Sequence, residues 1–226
     1  MLKAVFGICL SMTVIAGCSS SESAAPPATS PAKPSAPSSA MAGKLRSALL
    51  PAPKGMRVAF GPETGAYGAL TSTKEGLEAV RQSKLDRPEC AGATQLDPVK
   101  PEIAAAPAAV IAFASDRGTI SQAVMELPPT AFPGPLPSQC AAYGAEVRGT
   151  KVTYRTRELD MPRQGDESRA YLTTASGGDS NAQIGSVVIR RGSVVMSLMV
   201  VGQRVKREGL LELGRLADQN LSRVAT

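Results

Sequence analysis

The residues able to do chemistry in this chain are few, and histidine is not among them. None of the 226 residues is His. Ser-His and Cys-His mechanisms and most zinc sites are therefore excluded. No G-x-S-x-G string occurs, and no Gly-rich phosphate loop follows a strand. Carboxylates remain: Glu158, Asp160, Asp166 and Glu167 fall within ten residues of one another. Two carboxylates held at the right separation hydrolyse glycosides. Nearness in sequence does not set that separation, however, and Gly165-Asp166-Glu167-Ser168 reads as a turn leading into a strand over 169–175. No catalytic residue, metal ligand or cofactor is assigned.

The cysteines say more. Lys3 is followed by an uncharged run from Ala4 to Gly17, too short for the about 20 apolar residues that span a bilayer. A basic start, an apolar middle and a small-residue end make a secretory signal. The run closes on Ile15-Ala16-Gly17-Cys18, which resembles the lipobox of bacterial lipoproteins: an aliphatic residue, two small residues and a cysteine whose thiol takes the lipid. The expectation is a signal peptide over 1–17, a lipidated Cys18, and a mature protein on the outer face of the cell membrane. Cys9 lies inside the removed segment. Cys90 and Cys140 are then the one pair left in an exported domain, where a disulfide is expected before a catalytic thiol.

Residues 18–43 read as the lipidated cysteine and a disordered Ser/Ala/Pro tether. Pro26, Pro27, Pro31, Pro34 and Pro37 favour extended chain, and nothing apolar recurs to offset ordering entropy. The 25 residues from Ser19 to Gly43 would reach about 75 Å fully extended. Ser30-Pro31-Ala32-Lys33 matches the S-x-x-K string of penicillin-binding enzymes. That string works only at the start of a buried helix, so in a tether it carries nothing.

Residues 44–226 are long enough for a single domain with its own core. Leu45 to Leu50 predicts a short helix and Met56 to Phe60 a strand. Ser72-Thr73-Lys74-Glu75 matches a capping box opening a helix to about Gln82. Ala108 to Ala114 is a buried strand. Ile120 to Leu127 fits strand or helix, and Pro128 to Pro137 is a Pro-rich loop. Gly149 and Gly192 accept the positive φ of tight hairpins, predicting pairs of 143–148 with 151–158 and of 184–190 with 194–201. Within the first, Val152, Tyr154 and Thr156 share one face and Arg155 and Arg157 the other. The stretch from Val194 to Val201 is apolar on both faces, as in a central strand covered on both sides. Leu210, Leu213, Ala217, Leu221 and Val224 form the stripe of a C-terminal helix from about Arg207. Asn220-Leu221-Ser222 matches a glycosylation acceptor but falls on that helix. The fold class is α+β: an antiparallel β-sheet with flanking helices, including a C-terminal helix, and one disulfide.

The chain carries a net charge of +6 and only eight aromatic residues, four Tyr and four Phe. Its basic residues do not cluster beyond Arg190-Arg191 and Arg204 to Arg207, and no base-stacking platform is offered, so nucleic acid is not an expected partner.

Several short strings recur in a familiar order: Leu49-Leu50-Pro51-Ala52, Pro88-Glu89-Cys90, Gln139-Cys140, Gly165-Asp166-Glu167-Ser168, Val187-Val188-Ile189-Arg190-Arg191-Gly192, then the closing helix. With the lipobox and tether, the set resembles an actinobacterial lipoprotein group similar in layout to the extracellular sensor domains of mycobacterial receptor Ser/Thr kinases. The resemblance implies a disulfide-braced α+β domain with a cleft. That sensor family typically carries two disulfides, whereas this chain allows one. The function expected is a non-enzymatic binding or sensor-like module at the cell envelope, its ligand or protein partner unidentified and its membrane contact made through the lipid. The alternatives are a lipid or glycolipid carrier with a large apolar cavity and a carboxylate-dependent hydrolase. The anchor is tested directly: the protein should partition into the detergent phase and incorporate labelled fatty acid, and Cys18→Ser should abolish both. A mutant that stayed membrane-bound and labelled would refute the lipobox.

Overall fold

The computed structural model describes residues 39–178 and 180–225. The expected signal peptide, Cys18 and the tether as far as residue 38 lie outside them. A nine-stranded, wholly antiparallel sheet forms the body. Its strands are β1 (Arg57–Ala66), β2 (Ser83–Leu85), β3 (Pro107–Ser115), β4 (Gly118–Glu126), β5 (Ala142–Val147), β6 (Thr150–Glu158), β7 (Glu167–Gly177), β8 (Ser180–Arg191) and β9 (Val194–Gly202). They lie side by side in the order β1-β3-β4-β9-β8-β7-β6-β5-β2. Among the described residues four α-helices accompany them: α1 (Ser39–Ser47), α2 (Thr71–Arg81), α3 (Pro101–Ala104) and the C-terminal α4 (Arg207–Leu221). The expected α+β class holds. Among the described residues no helix is long and apolar enough to cross a membrane.

Side chains of one strand alternate between the two faces of the sheet, so an all-apolar strand needs cover on both. β9 shows this directly. Val194, Met196 and Leu198 join one buried cluster with Leu45, Leu49, Leu210, Ala217 and Leu221, beneath α1 and α4. Val195 joins the other, with Leu70, Leu96, Ile103, Val110, Met125 and Leu127. Two glycines let α4 approach: a Cβ on Gly185 of β8 would stand 2.8 Å from Leu210, and one on Gly214 of the helix 3.1 Å from Val187. The end of α1 is pinned by the buried Gln122, whose Oε1 accepts the Leu50 N–H at 2.7 Å.

The hairpins form where glycine marks them. Arg148 and Gly149 both take positive φ, 49° and 80°, the geometry of a primed two-residue turn. Other elements depart from expectation. The segment Ile120 to Leu127 resolves as strand, because it pairs between β3 and β9 along its length. The helix α1 begins at Ser39, inside the stretch expected as tether, with Met41 packed on the core. The capping box fails: α2 starts at Thr71, its N-cap is Leu70, and Ser72 instead donates its hydroxyl to Glu63 Oε2 at 3.4 Å. β2 and α3 gave no periodic signal, being three and four residues long.

Cys90 and Cys140 form the expected disulfide, across a separation of 50 residues. Beside it the Arg87 guanidinium donates to the Gln139 carbonyl. The bond ties the 86–100 segment to the start of β5. Replacing both cysteines by Ser should lower the free energy of unfolding by up to about 4 kcal/mol on the chain-entropy model. Truncating the fully buried Leu198 to Ala should cost about 2–5 kcal/mol. Denaturant titration checks both; a disulfide-free variant as stable as the parent would contradict the bracing role.

Candidate ligand-binding cleft

The two faces of the sheet are covered differently. The helices α1 and α4 lie on one. On the other, cover comes from α2, the 86–100 segment, α3 and the Pro-rich loop, and these short pieces leave a cleft against the strands. Its outer cavity, about 300 Å³, is floored by Val110, Ser121, Ala123, Ser197 and Met199 and walled by α2 and Leu96-Asp97-Pro98. Its inner cavity, about 200 Å³, lies over Tyr143, Tyr154, Thr156, Thr173 and Ile184 and is closed by Cys90 to Gln95 and Leu136. Val80, Ala91, Gly92 and Gln95 line both.

Gln95 stands at the division. Its Nε2 donates to the Met199 Sδ on the floor at 3.1 Å, and a thioether is a weak acceptor. On the inner floor the Thr156 and Thr173 hydroxyls bond each other at 2.8 Å, and the Tyr143 and Tyr154 rings stack with centroids 5.0 Å apart. The predicted sharing of one face by Val152, Tyr154 and Thr156 is what brings Tyr154 and Thr156 here. The Pro-rich loop is clamped by Arg169 of β7. Its Nε donates to the Pro133 carbonyl at 3.1 Å, and its guanidinium lies over the Phe132 ring.

The four tyrosines of the chain all belong to this side. Tyr67 lines the outer cavity, Tyr143 and Tyr154 the inner, and Tyr171 projects from β7 on the same side as Arg169 and Thr173. Burial is the first cause of a raised hydroxyl pKa in each. The negative charge of Asp97 adds to it at Tyr67, where Thr73 works the other way. Tyr154 and Asp86 add to it at Tyr143. Asp97 is the one formally charged residue lining the outer cavity, and none lines the inner.

The acidic cluster lies elsewhere and is tied to arginines. The Arg190 guanidinium meets Glu167 Oε1 at 2.5 Å and Asp166 Oδ2 at 3.6 Å. Asp166 Oδ2 also accepts the Gly192 N–H at 2.7 Å, fastening the turn at Gly165 to the β8–β9 hairpin. Glu158 faces Arg169 at 4.0 Å, and Asp160 is exposed, its backbone carbonyl accepting from Arg207. These are the partners of a structural turn. Among the described residues no group of three or more His, Cys, Asp or Glu gathers as for a metal ion.

Sequence reasoning missed Gln95, Tyr67 and Asp97. They sit in irregular segments with no periodicity, and only the folded chain brings them over β4, β9 and β6.

No family model matches the chain, and no curated protein matches it significantly. Among solved structures it is similar to the extracellular domain of PknH from Mycobacterium tuberculosis. The TM-score is 0.50 at 14% identity, covering 83% of this chain and 91% of that one. A putative uncharacterized protein of Mycobacterium smegmatis, the Rv0999 ortholog, gives a TM-score of 0.48 at 11% identity, over 83% and 96% of the two chains. The expected likeness to the extracellular domains of mycobacterial kinases holds, and what it establishes is the fold.

The tyrosines give a measurable signature. A phenol whose folded pKa is raised stabilises the fold fully below the ordinary value of 10.0, and that stability is lost as pH rises through the folded value. Tyrosinate absorbance should therefore appear above pH 10.0, together with loss of tertiary structure by circular dichroism. Titration of all four phenols at the ordinary value, with the fold intact, would contradict this burial.

Proposed function

We propose that this chain is a membrane-anchored extracytoplasmic lipoprotein whose domain binds a ligand without chemical turnover, in the manner of a sensor. Residues 1–17 are the signal peptide, Cys18 the lipid-bearing residue, 18–43 the tether and 44–226 the binding domain. The observation that carries the binding role is the cleft. It is a concave, mainly apolar site with a few convergent polar groups, the usual form of a small-molecule site. It holds no paired carboxylates and no activated nucleophile. The fold shared with the PknH extracellular domain supports an extracytoplasmic placement.

A lipid or glycolipid carrier is the second reading. The two cavities of this cleft, about 300 and 200 Å³, stand at and below the lower end of the about 300 to 1,000 Å³ of small-molecule sites, so this cleft favours a small ligand over a lipid chain. The hydrolase reading is weaker still, because arginines neutralise Asp166, Glu167 and Glu158.

Asp166→Asn and Glu167→Gln should each cost at most about 1 kcal/mol, as half-exposed ion pairs do, and Asp160→Asn, at an exposed side chain, no more than that. None should change turnover on a panel of esters, glycosides and wall fragments, because the wild type turns none over. Wild-type turnover that vanished in one of the three would replace the binding module by a carboxylate hydrolase.

A further inference from the structure

We infer that the inner cavity takes one ring of a neutral saccharide, and that Gln95 reads one of its hydroxyls. This rests on the binding-module reading and names the ligand class of that same cleft.

Charge decides first. Tyr143 and Tyr154 are the only titratable side chains lining the inner cavity besides the disulfide cysteines, and both are shifted away from ionising. An ionic ligand would give up its hydration there and meet no charged side chain on the lining to replace it. The ligand group is therefore uncharged.

Polarity decides next. A purely apolar ligand would cut the polar groups of Thr94, Gln95, Thr156 and Thr173 off from water and leave their remaining hydrogen-bonding capacity unused, at a cost for each. These groups are hydroxyls and an amide, each both donor and acceptor. A ligand rich in hydroxyls has the same dual character. The Thr156–Thr173 pair spends one hydroxyl hydrogen and one lone pair on itself, leaving one hydrogen and several lone pairs free. The Gln95 amide donates to sulfur. A ligand oxygen is the better acceptor and displaces that contact without leaving a strong bond broken.

Shape decides last. The stacked Tyr143 and Tyr154 supply aromatic carbon surface, and an aromatic face is the negative side of the ring quadrupole, matching the C–H-rich face of a pyranose. A volume of about 200 Å³ suits one ring and not a chain of them. The outer cavity beyond Gln95, more apolar and holding Asp97, receives what is attached to that ring.

The test uses the mature protein, with isothermal titration and saturation-transfer NMR. The probes are glucose, galactose, mannose, arabinose, N-acetylglucosamine and their disaccharides, with glucosamine and glucuronate as charged counterparts. At least one neutral sugar should bind, and its charged counterpart at least about tenfold more weakly, with Gln95→Ala and Tyr154→Leu each weakening it about five- to tenfold. Gln95→Glu keeps the side chain's shape, controls for folding by its melting temperature, and should weaken binding as well. Ala93→Phe, which fills the inner cavity from an irregular segment, should abolish it. A fluorescent monoacylglycerol forms the second arm. If it binds, is displaced by Ala93→Phe, and no sugar binds, the saccharide assignment falls and the binding module stands. If neither probe binds, both fall. Sugar binding indifferent to Gln95→Ala and Ala93→Phe would place the site elsewhere and overturn the inference.

Discussion

The structure turns on one constraint: the central strands are apolar on both faces and must be covered twice. Val187 and Ile189 point to one side of β8 and Val188 to the other, and none is exposed. Leaving either face wet would forfeit about 1.5–3 kcal/mol for each such side chain. On one face α4, with a stripe of Leu210, Ala217 and Leu221, covers β8 and β9, and α1 covers β3 and β4. Their contact is close because Gly185 and Gly214 remove two side chains from the interface.

The second face has no helix as long as α4. Its cover is assembled from α2, the four-residue α3, the 86–100 segment and the Pro-rich loop, none of which forms a continuous ridge. Such segments bury little area for each residue ordered, so they depend on added ties. Cys90–Cys140 supplies one, Arg87 to Gln139 a second, and Arg169 with Pro133 and Phe132 a third. The cleft follows from the same economy of cover: pieces that are stapled rather than packed leave space between them. The Cys90–Cys140 disulfide therefore shapes the candidate site as well as bracing the chain.

Much of the sheet was legible because its signals are local. The doubly apolar β9, the glycines at 149 and 192, and the stripe of α4 each state their role within about ten residues. β1 was read as far as Phe60 only. Gly61-Pro62 interrupts its pattern, and the pairing with β3 shifts register between Val58 and Phe60 and again between Phe60 and Glu63. The capping box misled because Ser72 has a competing acceptor in Glu63, nine residues earlier in the sequence and brought beside it only once β1 is folded. In α4 the stripe drifted: Gly214 is buried where Leu213 was expected to be, since the glycine is what meets Val187. The cleft was illegible for a further reason. Gln95 and Met199 meet across 104 residues, and neither belongs to a chemical type that announces itself.

The distribution of charge then separates scaffold from site. The acids that stood out in sequence, Asp166 and Glu167, are spent on Arg190, which β8 presents at the mouth of its hairpin with 15% of its side chain exposed. Arg191 is held likewise by Asp218 of α4 at 2.7 Å, raising the guanidinium's pKa through that hydrogen bond. The Val-Val-Ile-Arg-Arg-Gly string thus fixes the two sides of one hairpin end: Arg190 to the turn before β7 and Arg191 to the C-terminal helix. Ion pairs of this kind set geometry more than they add stability. The opposite arrangement holds in the inner cavity, where no formally charged side chain intrudes and recognition falls to hydroxyls, an amide and two rings. In a protein of net charge +6, the inner cavity has a lining free of formal charge, which disfavours ions there. The general basic field can draw the domain toward anionic surroundings, but it cannot supply the specificity of the cleft, which must come from hydrogen bonds and fit.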